Sequence, residues 1–269
     1  MKAHIDGDIL VYAIAGSCEG TRWYYKGSEY ESKSQLNLIL KQDGVTDAAV
    51  TVTKVPEPWE SCRTSVISYL EGILEYLDID YQIYLSGKGN FRYEIATILP
   101  YKGNRKDLQK PFHYDNIRQF LVDVYDAKVS EGVEADDMIG LNHDPEEDLI
   151  ASLDKDLKCI PGLHYDWVKK ECYWVTDWQA DYNFYSQVLT GDAIDNILGL
   201  YGVGTKSKLL QNLSELRGAE EMFNFVKEQY QSRFGSYWRQ FMFENCHLLW
   251  ILQKRDATWR NFFSEERKA

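Results

Sequence analysis

The acidic residues that could do chemistry are concentrated where short apolar runs end or helices begin. They are Asp6, the run Glu134-Ala135-Asp136-Asp137, the run Asp154-Lys155-Asp156, and the pair Asp192 and Asp195. Crowded carboxylates repel one another and resist joint ionisation. A chain therefore keeps such groups either on a solvated surface or around a divalent cation, and the positions of these residues decide between the two.

The run that begins at Glu134 places three carboxylates within four positions, directly before apolar residues. If the chain is helical from Ala135 onward, Glu134 and Asp137 share one face and Asp136 lies close by. Acidic residues also favour the positive end of a helix dipole. This segment alone therefore predicts an acidic helix start as readily as a metal site.

Two of these acidic groups, Asp6 and the run Asp154-Lys155-Asp156, follow predicted strands. Asp6 ends a short apolar run near the N-terminus, and Asp154 and Asp156 come just after the apolar run 149–153. Open α/β sheets bind ligands at the carboxyl ends of their strands. Asp6 or Asp8 could instead cap the following helix, and Asp154 and Asp156 suit a turn. Two such strand ends in one chain favour a ligand site.

A basic segment follows the predicted strand 81–85. It contains Tyr101-Lys102-Gly103-Asn104-Arg105-Lys106, with Lys110 beyond, and is the densest basic run in the chain. Lysine and arginine near a carboxylate cluster can hold a substrate phosphate and offset charge in the transition state. The alternative is a solvated loop with ordinary surface lysines, but Tyr101 and the nearby glycines favour phosphate contact.

A glycine-rich turn is predicted between two helices near residue 200. Its glycines and the lysines that follow are Gly199, Gly202, Gly204, Lys206 and Lys208. Such a turn exposes backbone N–H groups to a phosphate. It is not a Walker A loop, because Thr205 rather than glycine precedes Lys206.

The elements that must position these residues alternate along the chain. Strands are predicted near 3–5, 48–55, 81–85, 128–129, 149–153 and 173–176, a hairpin at 21–30, and helices near 8–14, 34–42, 58–77, 111–125, from 135 and from 177. The region 214–259 reads as helical with an aromatic core. Aromatic residues of the hairpin could stack on bases, but packing onto the body is the favoured interpretation.

The composition excludes several classes of protein. A net charge of -12 and a pI of about 4.9 argue against a generic polycation that coats nucleic acid. No stretch reaches the roughly 18 apolar residues of a membrane span, and the N-terminus shows no signal peptide. The five cysteines are scattered without a C-x-x-C, and the five histidines show no ligand spacing. This pattern favours reduced thiols in a cytosol and argues against zinc.

Taken together, the acidic runs resemble those of the 5′-nuclease superfamily. This group includes flap endonucleases, bacteriophage 5′-to-3′ exonucleases and the 5′-nuclease domain of bacterial DNA polymerase I. The matching pieces are Asp6, Glu134-Ala135-Asp136-Asp137, Asp154-Lys155-Asp156 and Gly191-Asp192-x-x-Asp195-Asn196. The segment 101–105 also looks like the family's basic segment, and 199–206 looks like its helix-hairpin-helix. The resemblance runs from about residue 4 to residue 210.

The resemblance implies an α/β fold with a mostly parallel central sheet flanked by helices, a PIN-like nuclease core. Residues 1–180 would form this core, with an excursion at about 20–55. Residues 181–269 would form a helical subdomain that contains the helix-hairpin-helix, the two parts making one integrated globular unit. The size suits a stand-alone enzyme of phage type, and we expect a monomer without membrane association in the cytoplasm of a bacterial host.

The implied activity is that of a divalent-metal-dependent 5′-to-3′ exonuclease or flap endonuclease. It would hydrolyse phosphodiester bonds in DNA, and in RNA of RNA–DNA hybrids, with two Mg²⁺ or Mn²⁺ ions about 4 Å apart. One ion would rest on Asp6, Glu134 and Asp136, and the other on Asp137, Asp154, Asp156, Asp192 and Asp195. Lys102 and Arg105 would steady the reacting phosphate. The DNA contacts would come from Lys106, Lys110, Gly202, Gly204, Lys206 and Lys208, with K⁺ bound at the hairpin.

Two features depart from the family pattern. The family carries a further metal-binding aspartate after its second core strand, where this chain has Ser86-Gly87. The segment between Arg105 and Gly132 is also short for a closed arch that threads a 5′ flap. Two other hypotheses therefore stay open. They are a non-catalytic, structure-specific DNA-binding protein with a decayed metal site, and a PIN-type ribonuclease, against which the segment 199–206 argues.

Overall fold

The structure is a computed structural model that describes residues 1–46, 49–105, 108–254 and 258–266. Its contacts divide the chain into two units. The first comprises Met1–Ile9, Leu77–Leu108 and Tyr125–Ala269, and the second comprises Leu10–Tyr76 and Gln109–Val124. The boundary expected near residue 180 lies inside the first unit, so a separate helical subdomain from residue 181 stays a prediction.

Strands and helices alternate through most of the described chain. In chain order they are β1 (Lys2–Asp6), α1 (Gly7–Ser17), β2 (Glu19–Tyr25), β3 (Ser28–Tyr30), α2 (Lys33–Asp43), β4 (Thr51–Pro56), α3 (Trp59–Leu77), β5 (Asp80–Leu85), α4 (Arg92–Ile95), α5 (Tyr114–Tyr125), β6 (Lys128–Val129), α6 (Ala135–Asn142), β7 (Leu149–Ala151), β8 (Gly162–Asp166), β9 (Glu171–Val175), α7 (Asp177–Thr190), β10 (Gly191–Asp192), β11 (Ile197–Leu198), α8 (Lys208–Ser214), α9 (Ala219–Phe234), α10 (Trp238–Leu249) and α11 (Thr258–Glu266). Short 3₁₀ turns cover Gly103–Arg105, Asp156–Cys159 and Gly235–Tyr237.

A six-stranded sheet forms the centre of the first unit. Its order is β6-β5-β1-β7-β8-β9, with all neighbours parallel except β9, which runs antiparallel to β8. Ile5, Ile83 and Ile150 lie on its three central strands and are fully buried. Such continuous apolar strands are typical of parallel sheets covered on both faces. The predicted α/β fold with a mostly parallel sheet is therefore confirmed.

The C-terminal helices of the first unit enclose a second apolar core. Phe184 of α7, Tyr230 of α9 and Trp259 of α11 are almost fully buried within it. The aromatic side chains predicted to form a core in this region do so. None of the described helices combines the length and the apolar character needed to cross a membrane.

The second unit contains a three-stranded antiparallel sheet of order β3-β2-β4. Tyr25 is buried with Leu36 and Leu40 of α2, and Trp23 and Tyr30 pack against them. The aromatic residues of the predicted hairpin therefore pack onto a helix, as the sequence favoured. The strand predicted from residue 48 begins at Thr51, and residue 48 itself lies outside the described residues.

Candidate active site

The carboxyl ends of β1 and β7 are joined through a serine. Asp6, the last residue of β1, accepts hydrogen bonds from the backbone N–H of Ile9 at 3.2 Å and from Ser152 Oγ at 2.7 Å. Ser152 Oγ in turn accepts the backbone N–H of Asp154 at 2.9 Å. Because β1 and β7 are parallel neighbours, this chain of bonds brings Asp6 and Asp154 to the same edge of the sheet.

The carboxyl end of β5 holds the start of α6. Ser86 Oγ accepts the backbone N–H of Ala135 at 2.9 Å, and the backbone N–H of Ser86 donates to Asp8 Oδ2 at 3.0 Å. Ser130, after β6, accepts the backbone N–H of Gly87 at 3.1 Å. The position where the family resemblance expects an aspartate is thus used to fix the N-terminus of α6, and Asp8 lies beside it.

Four carboxylates crowd this edge, and we call Asp6, Asp8, Asp136 and Asp154 the four-carboxylate cluster. The pKa of Asp6 is raised to about 7, mainly by burial; the negative charges of Asp8 and Asp154 contribute to this rise, while the hydrogen bond from Ser152 opposes it. Burial also raises the pKa of Asp136 well above its ordinary value, and the charges of Asp6 and Asp154 add to the effect. The cluster therefore concentrates negative charge that the fold itself resists.

Three carboxylates of this cluster, Asp6, Asp136 and Asp154, have no basic partner in the described chain. Among the residues that the structure describes, no lysine or arginine forms an ion pair with Asp6, Asp136 or Asp154. Each of the other predicted ligands has a basic partner. Oxygen-only donors with excess negative charge are the ligands that Mg²⁺ and Mn²⁺ prefer, so the donor set fits a divalent cation.

A lysine lies between two further predicted ligands. Lys155 Nζ is 2.7 Å from Asp156 Oδ1 and 2.8 Å from Asp192 Oδ2. Burial and the charge of Asp154 raise the pKa of Asp156. Burial acts in the same direction on Asp192, but Lys155 and two backbone amides outweigh it and lower the pKa of Asp192. An ammonium group thus occupies the space between two carboxylates that a second cation could bridge.

The basic segment meets the remaining predicted ligands. The Lys102 ammonium contacts Glu134, and Arg105 Nη2 is 2.5 Å from Asp195 Oδ1. Tyr101 Oη lies 3.0 Å from Glu134 Oε2 and 2.9 Å from Asp195 Oδ2, and its single proton serves one of them at a time. Burial raises the pKa of Asp195, against the effect of Lys102 and Arg105. Lys102 and Arg105, which are predicted to bind phosphate, therefore form ion pairs with Glu134 and Asp195, which are predicted to bind metal.

The loop that carries Asp192 and Asp195 is built on a two-stranded ladder of β10 and β11. Gly191 has a φ of 70°, and a Cβ at this position would lie 2.2 Å from the backbone nitrogen of Gly199. Only glycine fits this close crossing of the two strands. The backbone N–H of Lys102 donates to the carbonyl of Asp195 at 2.9 Å, which ties the basic segment to the same loop.

Asp137 does not fit the predicted role of metal ligand. Its side chain is fully buried and receives four hydrogen bonds, from Arg92 Nη1 at 2.6 Å, Arg92 Nη2 at 2.8 Å, the backbone N–H of Glu134 at 3.0 Å and that of Leu252 at 3.0 Å. A carboxylate has about four lone-pair sites, so no acceptor position remains for a cation. We therefore remove Asp137 from the set of candidate ligands.

The residues predicted to contact DNA lie in several places. Gly202, Gly204 and Lys206 are exposed in the turn that leads into α8, and Lys208, also exposed, is the first residue of that helix. Cβ atoms at both glycines would meet open space. Lys110 belongs to the second unit, where its ammonium lies 4.1 Å from the ring centroid of Tyr114. Lys106 lies outside the described residues. The DNA contacts and the K⁺ ion at the hairpin stay predictions.

Sequence reasoning missed two residues of the site. Asp8 was considered only as a helix cap, although its spacing of two from Asp6 was a usable signal. Arg92 lies outside the predicted basic segment, and it is buried and pairs with Asp137. No local pattern marks Arg92 as the partner of a residue so distant in the chain.

Comparison with known proteins supports the fold. No family model matches the chain, and no curated protein matches it. Among solved structures, a bacteriophage T5 protein co-crystallised with metal ions aligns over 92% of this chain and 88% of its own, with a TM-score of 0.53 and 16% identity. A bacteriophage T5 flap endonuclease variant, in a pseudo-enzyme–product complex with DNA and metal ions, aligns over the same shares with a TM-score of 0.51 and 16% identity. The chain therefore shares the fold of a bacteriophage 5′-nuclease, as its acidic motifs imply.

Proposed function

We propose that this chain is a divalent-metal-dependent nuclease that hydrolyses phosphodiester bonds in DNA, acting as a 5′-to-3′ exonuclease or flap endonuclease and also on RNA in RNA–DNA hybrids. The observation that carries the proposal is the four-carboxylate cluster at the carboxyl edge of the sheet. Within the cluster, Asp6, Asp136 and Asp154 form no ion pair with a lysine or arginine of the described chain. The fold shared with the T5 flap endonuclease supports the same proposal.

Two groups of side chains would hold the ions. Asp6, Asp8, Asp136 and Asp154 would hold the first, and Asp156 and Asp192 would hold the second in the place that the Lys155 ammonium takes. Glu134 and Asp195 are not in either group, because they pair with Lys102 and Arg105 of the basic segment. When bound, such ions activate water for attack and stabilise the leaving oxygen of an in-line displacement.

The basic segment would bind the phosphate on which the reaction takes place. The Lys102 side chain is 20% exposed and that of Arg105 is 37% exposed, so each can contact a ligand while it still pairs with a carboxylate. Arg105 uses Nε and Nη2 for Ile194 and Asp195, and Nη1 has no partner in the described part of the chain. This free donor, next to the Lys102 charge, suits a phosphate oxygen.

A second candidate function is a non-catalytic, structure-specific DNA-binding protein. One observation favours it: the position after β5 carries Ser86, whose hydroxyl is engaged with the backbone N–H of Ala135. The first ion would then depend on Asp8 for the missing carboxylate. The two candidates differ in whether bound DNA is cleaved.

The test uses 5′-end-labelled duplex, flap and RNA–DNA hybrid substrates, and single-stranded RNA, with Mg²⁺, Mn²⁺ or EDTA. We expect cleavage of DNA with either ion and none with EDTA. Binding without cleavage in both metals would instead support the second candidate. Cleavage confined to single-stranded RNA would indicate a ribonuclease of PIN type.

A matched pair of variants tests the assignment of the site. Asp154→Asn should abolish cleavage and preserve DNA binding, because it removes one cluster carboxylate without changing the size of the side chain. Asp126→Asn is the control: this carboxylate is 85% exposed and pairs with Lys128, and its φ of 52° suits asparagine. If Asp154→Asn turned over substrate at the control's rate, the cluster would not be the active site.

A further inference from the structure

A second group of possible metal ligands lies at the other end of α6. His4, His143 and Asp148 each bring one ligand atom within 4.8 Å of the others; in the described ranges no other three residues, those of the four-carboxylate cluster included, bring their ligand atoms this close. His4 lies in β1, His143 directly follows α6, and Asp148 directly precedes β7. The group is therefore at the amino end of β7, whereas Asp154 follows the carboxyl end of the same strand.

The His143 ring has a buried nitrogen without a partner. The residue is 1% exposed, and its Nδ1 forms no hydrogen bond. Its Nε2 lies 3.2 Å from the carbonyl oxygen of Pro161, which can only accept. The proton therefore belongs on Nε2, and Nδ1 presents an unused lone pair. A buried polar atom without a partner costs free energy and calls for an explanation such as an absent ion.

The His4 ring is oriented by partners on both sides. Its Nε2 lies 3.2 Å from Asp148 Oδ2, and its Nδ1 lies 3.1 Å from Tyr84 Oη. A tyrosine hydroxyl can donate or accept, so Tyr84 can also accept a proton from Nδ1. In that tautomer the lone pair of His4 Nε2 points toward Asp148. Ligand histidines in metal sites have this arrangement, with the second ring nitrogen donating to a protein oxygen.

We propose that His4, His143 and Asp148 bind a Zn²⁺ ion. Two imidazole nitrogens and one carboxylate oxygen are a common zinc donor set, with bonds of about 2.0–2.2 Å. Neighbouring ligand atoms in a tetrahedron with such bonds are roughly 3.3–3.5 Å apart, and the observed separation between His4 and Asp148 is 3.2 Å. The Asp148 side chain is 17% exposed, which leaves a route for the ion and for a water as fourth ligand.

The chemistry of this group differs from that of the four-carboxylate cluster. Imidazole suits zinc and similar metals, whereas Mg²⁺ requires oxygen ligands. The eight residues of α6 span about 12 Å between His143 and the acidic start of the helix. The zinc site is thus separate from the proposed active site.

The local backbone leaves room for the His143 ring. Gly162 begins β8 with a φ of 126°, and a Cβ there would lie 2.5 Å from His143 Nε2. A bound ion would join β1, the end of α6 and the start of β7. We therefore expect zinc to stabilise the fold and not to take part in cleavage.

The test uses the full-length protein, first stripped with a chelator and then given Zn²⁺ or Co²⁺ in the presence of excess Mg²⁺. After gel filtration, metal analysis should find one Zn²⁺ per chain, and Co²⁺ should give the visible absorption of a four-coordinate site. Asp148→Asn and His143→Gln should each weaken zinc binding more than about a hundredfold, since even the loss of an outer partner costs up to that factor. Circular dichroism checks that the variants fold.

Two controls separate this proposal from others. Cys172→Ser removes the exposed thiol, and Asp154→Asn alters the proposed active site; both should retain one Zn²⁺ per chain. Less than one bound Zn²⁺ in the unaltered chain, or unchanged affinity in Asp148→Asn and His143→Gln, would overturn the proposal. So would a Co²⁺–thiolate absorption band. Because the readout is metal binding, failure of the nuclease proposal would leave this test unaffected.

Discussion

Replacing Asp137 with asparagine distinguishes a structural carboxylate from a metal ligand. The side chains of Arg92 and Asp137 are 3% and 0% exposed, and they form two parallel hydrogen bonds. Asparagine has the same shape, but it has one oxygen and a donor group where aspartate has two acceptors. Of the four N–H groups that now reach Asp137, two would face the NH₂ group of asparagine.

The expected cost follows from the burial of the pair. Removing one partner of a buried ion pair leaves the other charge without compensation, which typically costs about 3–5 kcal/mol. Arg92 would keep its bonds to the carbonyl oxygens of Leu248 at 2.9 Å and Trp250 at 2.7 Å, so we expect the lower part of this range. The substitution Arg92→Met should destabilise the Asp137→Leu variant by at least about 2 kcal/mol less than it destabilises the unaltered chain, because the effects of substitutions at contacting partners are coupled.

Urea unfolding without divalent metal measures these free energies, and Mn²⁺ titration followed by electron paramagnetic resonance measures metal affinity. Asp136→Asn is the matched control: it removes one charge from the crowded cluster, so the metal-free protein should be as stable or more stable, while Mn²⁺ binding weakens. Asp137→Asn should instead lower the free energy of unfolding and leave the Mn²⁺ affinity of the folded protein unchanged. If Asp137→Asn unfolded at the same urea concentration as the unaltered chain but lost Mn²⁺, Asp137 would be a ligand and the role assigned to Arg92 would be wrong.

Further predictions concern the pH dependence, the second ion and the hairpin. The folded-state pKa of Asp6 is raised from 3.8 to about 7, so ionisation of Asp6 destabilises the metal-free fold progressively as the pH rises through this range. Asp6→Asn should therefore stabilise the metal-free protein at about pH 8 and much less at about pH 5. The midpoints of urea unfolding at the two pH values measure this difference. Lys155→Met should strengthen Mn²⁺ binding at Asp156 and Asp192, because the ion would no longer have to displace the Lys155 ammonium from between them. Since Lys155 is 59% exposed, the free energy of unfolding should change by less than about 1 kcal/mol. Lys206→Ala should weaken duplex binding and lower the salt slope by about one, and an unchanged slope would mean that Lys206 contacts no phosphate.

The positions of the acidic residues at strand ends could be predicted from the sequence because the signal is local. A short apolar run followed by Asp6, and another followed by Asp154, identify buried strands and the side of the sheet where their carboxyl ends meet. The strand β10 was not predicted, because its position depends on a contact between separate parts of the chain and not on a local pattern. β10 has two residues, Gly191 and Asp192, and is held by a close backbone crossing with Gly199 that no periodicity reveals.

The partners of the charged residues could not be predicted, since they depend on contacts between distant parts of the chain. Lys102 and Arg105 were expected at a phosphate, and the structure pairs them with Glu134 and Asp195. The histidines illustrate the same limit. Their spacing argued against zinc, but neighbouring strands and the end of α6 bring His4 and His143 to one place, with ring centroids 5.9 Å apart.

Asp136 and Asp137 are adjacent in the sequence, but their carboxylates lie in opposite electrostatic surroundings. An α-helix turns by about 100° per residue, so two adjacent side chains at the start of α6 face different surroundings. Asp137 meets Arg92 and stabilises the helix start through a complete set of hydrogen bonds. Burial raises the pKa of Asp136, and the negative charges of Asp6 and Asp154 raise it too, so the surroundings of Asp136 disfavour its charged form. A divalent cation bound between these carboxylates would turn their repulsion into attraction.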